Sequence, residues 1–90
     1  MANFINTAGM TGGNIKTTHK SGESVSEWVG RHNKAVEQGV PGNTLTTTWP
    51  SANGPQAVTS NRDDKESNED FILRHEASYA VVMGGSPPTP

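Results

Sequence analysis

Two stretches of this 90-residue chain spell the same pattern at a fixed distance. ESVSEWVGRH, residues 23–32, and ESNEDFILRH, residues 66–75, each run Glu-Ser, two variable positions, an acid, an aromatic, a β-branched residue, one variable position and Arg-His. The offset is 43 residues throughout. Self-similarity at a fixed period constrains the architecture before local propensity does, because each copy is one supersecondary unit that needs its neighbour to close a core. The chain is therefore expected to be one domain over 1–85, built from two units, 1–42 and 44–85.

Each copy opens on a helix signal. Ser24 and Ser67 are candidate N-caps with an acid three residues later, Glu27 and Asp70, which is the capping-box pattern, Asp70 being a shorter stand-in. Helices are predicted over 24–38 and 67–83, with Gly39 closing the first, VPGN linking onward, and Gly84 and Gly85 closing the second. With the aromatic of each copy at 0° and ~100° per residue, His32 and His75 both fall near ~40°, inside the apolar stripe, and Arg31 and Arg74 flank it near ~−60°. Trp28 and Phe71 are the expected core anchors. Upstream, NTLTTTW alternates β-branched and apolar residues, PSANGP carries turn chemistry at Asn53-Gly54, and QAVTSNR reads as the returning strand. At the same offset NIKTTHK lies over residues 57–63, so that Ile15 matches Val58 and His19 matches Arg62. NFIN then starts the first hairpin, with TAGMTGG as its loop. The predicted class is α+β: an internally duplicated β-β-α-β-β-α chain whose four-stranded, mainly antiparallel sheet carries both helices on one face. The tail SPPTP, residues 86–90, has three prolines and no apolar partner, and is expected to be disordered.

Composition narrows the function classes. Only 30% of residues are hydrophobic, so a lone subunit buries little, and self-association is the usual remedy in a small chain without disulfides or metal. The net charge of −2 includes an acidic run, RDDKESNED, and no clustered lysines or arginines, which disfavours nucleic acid as a partner. Cysteine is absent, removing thiol catalysis and thiolate metal sites. No apolar run approaches the ~20 residues of a membrane span, nor does the start resemble a secretion signal, so the expected compartment is the cytosol of a cell or an infected host.

Four residues and one aromatic stand out as candidate sites. His32 and His75 point inward at equivalent places. Their ordinary role is to hydrogen-bond a strand hydroxyl, carbonyl or carboxylate and fix helix on sheet, and their functional role would be a paired imidazole site. Two histidines without a thiol fall short of a zinc set, so no metal and no cofactor are expected. Arg31 and Arg74 either bridge to Glu27, Glu76 or Asp70 along the helix surface, or together clamp a phosphate or carboxylate. Trp49, next to Pro50 at a hairpin end, either covers the open end of the sheet or escapes the core as a contact anchor for a protein partner. Neither glycine-rich loop matches a phosphate-loop spacing, and no nucleophile–base–acid set can be assembled from the spacings. These features predict a non-enzymatic binding or assembly protein that self-associates through edges or faces of its sheet, of the kind a phage-like genome uses as an accessory or host-interfering factor. The alternative is a small binder that captures an anionic or nucleotide-like ligand between the Arg31/His32 and Arg74/His75 pairs.

Overall fold

The computed structural model describes residues 3–90. In chain order the elements are β1 (Phe4–Thr11), β2 (Ile15–Thr18), α1 (Val25–Glu37), β3 (Val40–Ser51), β4 (Gly54–Asn61) and α2 (Asn68–Gly85). The four strands form one antiparallel sheet in the order β2-β1-β3-β4, so the class is α+β. Among the described residues no helix is long and apolar enough to cross a membrane.

Local signals set the helix starts. Ser24 Oγ accepts the Glu27 N–H at 3.0 Å and Glu27 Oε1 accepts the Ser24 N–H at 3.0 Å, a closed capping box. Ser67 likewise accepts the Asp70 N–H at 3.1 Å. The shorter Asp70 carboxylate makes no return bond, so the second box is only half made. Gly39 does follow the C-cap of α1, but not for a left-handed turn: a Cβ there would stand 2.8 Å from Met10 Cε.

The strands run further than the local sequence predicts. TAGMT is not a loop, since β1 continues through it to Thr11 and the turn is confined to Gly12 and Gly13, both at positive φ. VPG is not a linker, since β3 begins at Val40 and pairs Pro41 with Met10. Proline is tolerated there because its side away from β1 has no strand partner: β4 pairs with β3 only from Thr44 onward. Between Ala8 and Met10 the register slips: Gly9 of β1, at φ +99°, stands alone against residues 42–45 of β3, so the extra residues bulge on β3. A Cβ at Gly9 would lie 1.9 Å from the Thr44 carbonyl oxygen.

Both helices pack on the same face of the sheet, α1 over β1 and β2, and α2 over β3 and β4. The buried apolar residues fall into two clusters. One gathers Ile5, Trp28, Trp49, Tyr79 and Met83, the other Met10, Val36, Leu45, Phe71 and Ile72. Trp28 and Phe71 are thus core anchors, as expected. The buried polar residues are Thr7, Thr47, Ser60, His32 and His75.

Two expectations about the far end of the chain are overturned. Trp49 is not a surface anchor: it is 1% exposed, and its indole N–H donates to the Ser86 carbonyl at 2.7 Å. A buried indole needs an acceptor, and residues 86–90 supply it. That tail is therefore ordered. Pro88 is buried and bridges to Ser51, and the Thr89 N–H donates to the Pro50 carbonyl at 3.0 Å. The last β1–β3 pair at this end is Asn6 with Thr48, which leaves β3 beyond it free to receive the tail.

Gly9→Ala combines an unfavourable φ with a backbone clash, and is expected to cost at least about 2 kcal/mol. Urea unfolding of the variant against the parent checks this.

Candidate functional site: a buried imidazole–hydroxyl chain

β1 and β3 lie side by side with Thr7 opposite Thr47. Their hydroxyls are bonded at 2.8 Å. From this pair the network runs outward in both directions. Thr7 Oγ1 bonds His32 Nε2 at 2.8 Å, and His32 Nδ1 bonds Thr17 Oγ1 at 2.9 Å. Thr47 Oγ1 bonds His75 Nε2 at 2.8 Å, and His75 Nδ1 bonds Ser60 Oγ at 2.8 Å. Each imidazole of a helix is thus held by two hydroxyls, one from each strand beneath it. Both rings are fully buried, and all four ring nitrogens are engaged.

Proton counting gives this chain a direction. A hydroxyl has one proton and a neutral imidazole has one N–H, so the Thr7–Thr47 bond runs one way only. Consequently His32 and His75 must hold opposite tautomers. At the Thr17 end the Trp28 indole, a donor only, gives its N–H to Thr17 Oγ1 at 3.1 Å. The corresponding aromatic in the second helix, Phe71, has nothing to give. A head-to-tail run starting at Trp28 places the His32 proton on Nε2 and the His75 proton on Nδ1, and every bond polarises the next.

Burial, reinforced by the neighbouring Arg31, pushes His32 down from 6.5 to about 4. Burial and Arg74 do the same to His75. Both imidazoles are neutral in the folded chain at neutral pH.

The arginines are placed apart. Arg31 donates through Nε and Nη2 to both Glu23 oxygens at 2.8 and 2.9 Å, and through Nη2 to the Thr18 carbonyl at 2.6 Å. Arg74 repeats this with Glu66 at 2.9 and 2.8 Å and with the Asn61 carbonyl at 2.6 Å. Thr18 and Asn61 belong to β2 and β4, the two opposite edges of the sheet. Three interstrand spacings separate those edges, about 14 Å. The structure therefore does not bring Arg31 and Arg74 together as one clamp. Nor do they pair with Glu27, Glu76 or Asp70 in these bonds: their partners are the glutamates just ahead of each N-cap. The bidentate arginine holds Glu23 and Glu66 down at about 2.

Two groups take roles that the sequence does not assign them. Arg62 fills the gap beyond β4, donating to the carbonyls of Pro41, Gly42 and Glu66 at 3.3, 2.9 and 3.0 Å and stacking 4.8 Å over Phe71. His19, 43 residues earlier, meets Trp28 edge-on at 5.3 Å. Glu76, expected only as an arginine partner, is the other. It sits between α2 and α1 with Oε2 buried and unpaired, and burial followed by the charge of Glu37 pushes it up to about 7. Its inward position, ~140° around the helix from Phe71, was the available signal.

Among the described residues no three His, Cys, Asp or Glu side chains gather as a metal set. Comparison with protein-family models, curated proteins and solved structures gives no match.

Thr47→Val keeps shape but strands His75 Nε2 and the Thr7 hydroxyl, with an expected loss of about 1–3 kcal/mol in urea unfolding. Acid dependence follows from the shifted groups. An imidazole depressed in the fold stabilises above its unfolded value and loses that contribution as pH falls through 6.5 toward 4. Glu76, raised in the fold, opposes this between 4.5 and 7. Two imidazoles outweigh one carboxyl, so stability is expected to drop by about 1–2 kcal/mol from pH 7 to 5. In Glu76→Gln the same drop should roughly double, to about 3–4 kcal/mol.

Proposed function

We propose that this chain is a non-enzymatic assembly protein whose partner is a further copy of itself. One observation carries the reading: the sheet is covered on one face only, and the four strands hold a single charged residue, Lys16. The uncovered face presents Asn6, Thr46, Thr48, Ala57 and Thr59. At one end, Phe4, Pro50 and Pro55 line an apolar depression. Lys16 lies over the Phe4 ring at 4.9 Å. A surface of small, neutral residues with a single lysine offers a second copy little charge repulsion. The polar groups that would suit chemistry, by contrast, are used inside the fold: the imidazoles by threonine and serine hydroxyls, the arginine forks by Glu23, Glu66 and strand carbonyls.

We also read the chain as a tandem copy of one hairpin-plus-helix unit. Its support is the recurrence at 43 residues of the cap, the Arg–Glu fork with its strand carbonyl, and the histidine with its second hydroxyl, Thr17 or Ser60. The first strands match at 40 residues instead, Thr7 with Thr47, so the second hairpin is three residues longer.

Sedimentation velocity across the micromolar range tests the self-association. The expected outcome is a mass at least twice 9.5 kDa; a monomer throughout overturns the proposal. Stabilisation by a nucleotide, abolished in an Arg31→Ala/Arg74→Ala double variant, would favour the anion-binding alternative instead.

A further inference from the structure

The geometry points to the free edge of β4 as the self-association surface, with a second copy of this chain pairing antiparallel to it about Val58. This inference rests on the self-association proposed above and names where it occurs.

The first support is the donor and acceptor pattern of the edge. Ser51 and Gly54 flank a two-residue turn, and alternation from there turns Gly54, Gln56, Val58 and Ser60 toward β3. The Arg62 N–H, bonded to the Asn43 carbonyl at 2.8 Å, continues that phase. Pro55, Ala57, Thr59 and Asn61 therefore point their backbone groups away from the sheet. All four are exposed. Pro55 has no N–H to offer, and the Asn61 carbonyl is already taken by Arg74. What remains is the Pro55 carbonyl, both groups of Ala57, both groups of Thr59, and the Asn61 N–H. Under a twofold axis at Val58, Ala57 faces Thr59 of the second copy and Pro55 faces its Asn61. Every remaining donor then meets an acceptor, with none left over. The missing N–H at one end coincides with the occupied carbonyl at the other, so the edge is complementary to itself.

The opposite edge does not share this. β2 is four residues long and carries Lys16, a short and charged edge of the kind that blocks pairing. The Arg31 fork covers its Thr18 carbonyl too.

The second support lies on α2. Arg74 overhangs the β4 edge, and Val81, seven residues on, projects from the same side of the helix. Val81 is 79% exposed, the most exposed large apolar residue described. Ala77, Ser78 and Gly85 surround it on that side, all small. Because α2 lies over the β3–β4 pair, the same pair of the second copy is centred two interstrand spacings away, which puts the second α2 about 9.6 Å off, inside the 8–10 Å range of packed helices. α2 runs back along β4, with His75 at Ser60 and Val82 in the cluster that takes Val58. The axis at Val58 therefore passes near Ser78 and Val81, and the exposed valine of each copy is covered by the other.

Three variants test this by sedimentation velocity and circular dichroism. Ala57→Pro removes an outward N–H and blocks the approaching strand while costing the subunit no internal bond. Val81→Lys places a charge where the helices would meet and leaves the fold untouched, because the site is already in water. Both are expected to run as folded monomers while the parent runs as a dimer. If Ala57→Pro fails to fold, Val81→Lys decides alone. In a chain without cysteine, Val58→Cys should give a disulfide-linked dimer on mild oxidation, because the two residues would face each other with Cα atoms about 4.5 Å apart. A parent that is monomeric removes self-association as well as this surface. A parent that associates while Val81→Lys or a folded Ala57→Pro keeps its mass overturns the β4 edge alone. A dimer that these variants break but Val58→Cys does not crosslink overturns the register.

Discussion

The hydrogen bond between Thr7 and Thr47 joins the two middle strands from inside the core, and the rest of the interior is arranged around it. It joins the hydroxyls that hold two imidazoles, each of which would cost a few kcal/mol if buried without such partners. Because the run is complete from Trp28 to Ser60, a polar layer can sit between two apolar clusters without penalty. Such a layer also discriminates. A strand slipped by one residue would turn Thr7 or Thr47 outward, break the bond between them and leave His32 or His75 without its Nε2 partner, so the network selects the register of β1 against β3 more sharply than interchangeable leucines would. With 30% hydrophobic residues, the chain gains specificity from polar geometry where apolar volume is scarce.

Symmetric placement does not make the interior symmetric. The two histidines stand at matching places over the sheet, yet a line of single protons cannot be read identically from both ends. The two helices differ here, with an indole at position 28 and a phenyl ring at position 71. An indole donor at the Thr17 end favours the order of protons that runs from Trp28 toward Ser60.

What the sequence revealed and what it concealed divide along a physical line. Helix starts were readable, since a serine cap and its acid lie within one turn. The inward aim of His32 and His75 was readable from helical phase, whereas their partners sit 15 to 28 residues away on strands and the threonine runs announced only a pleated surface. The lengths of β1 and β3 were obscured by Gly9 and Pro41, which break strands in isolation. Here each is tolerated because of what lies opposite: a carbonyl that admits no Cβ, and a flank with no strand to receive an N–H. The partners of Arg31 and Arg74 were misassigned because helix-surface spacings of three and four were considered, while the true spacing is eight, across the cap. The recurrence of Glu ahead of both N-caps was the clue. Nothing local to Trp49 signals that Ser86 closes over it 37 residues later.

That closure bears on how the chain is made. Trp49 is synthesised 37 residues before Ser86, and the strand carrying it is complete before Met83 and Ser86 exist. Until they emerge from the ribosome, one of the two largest apolar side chains in the molecule stands without its lid and its indole N–H without its carbonyl. Cotranslational folding can therefore assemble the first hairpin and α1 early, but the cluster around Trp49 seals only once Ser86 has emerged, and a nascent chain stalled before Ser86 exposes to chaperones a surface that the folded chain hides.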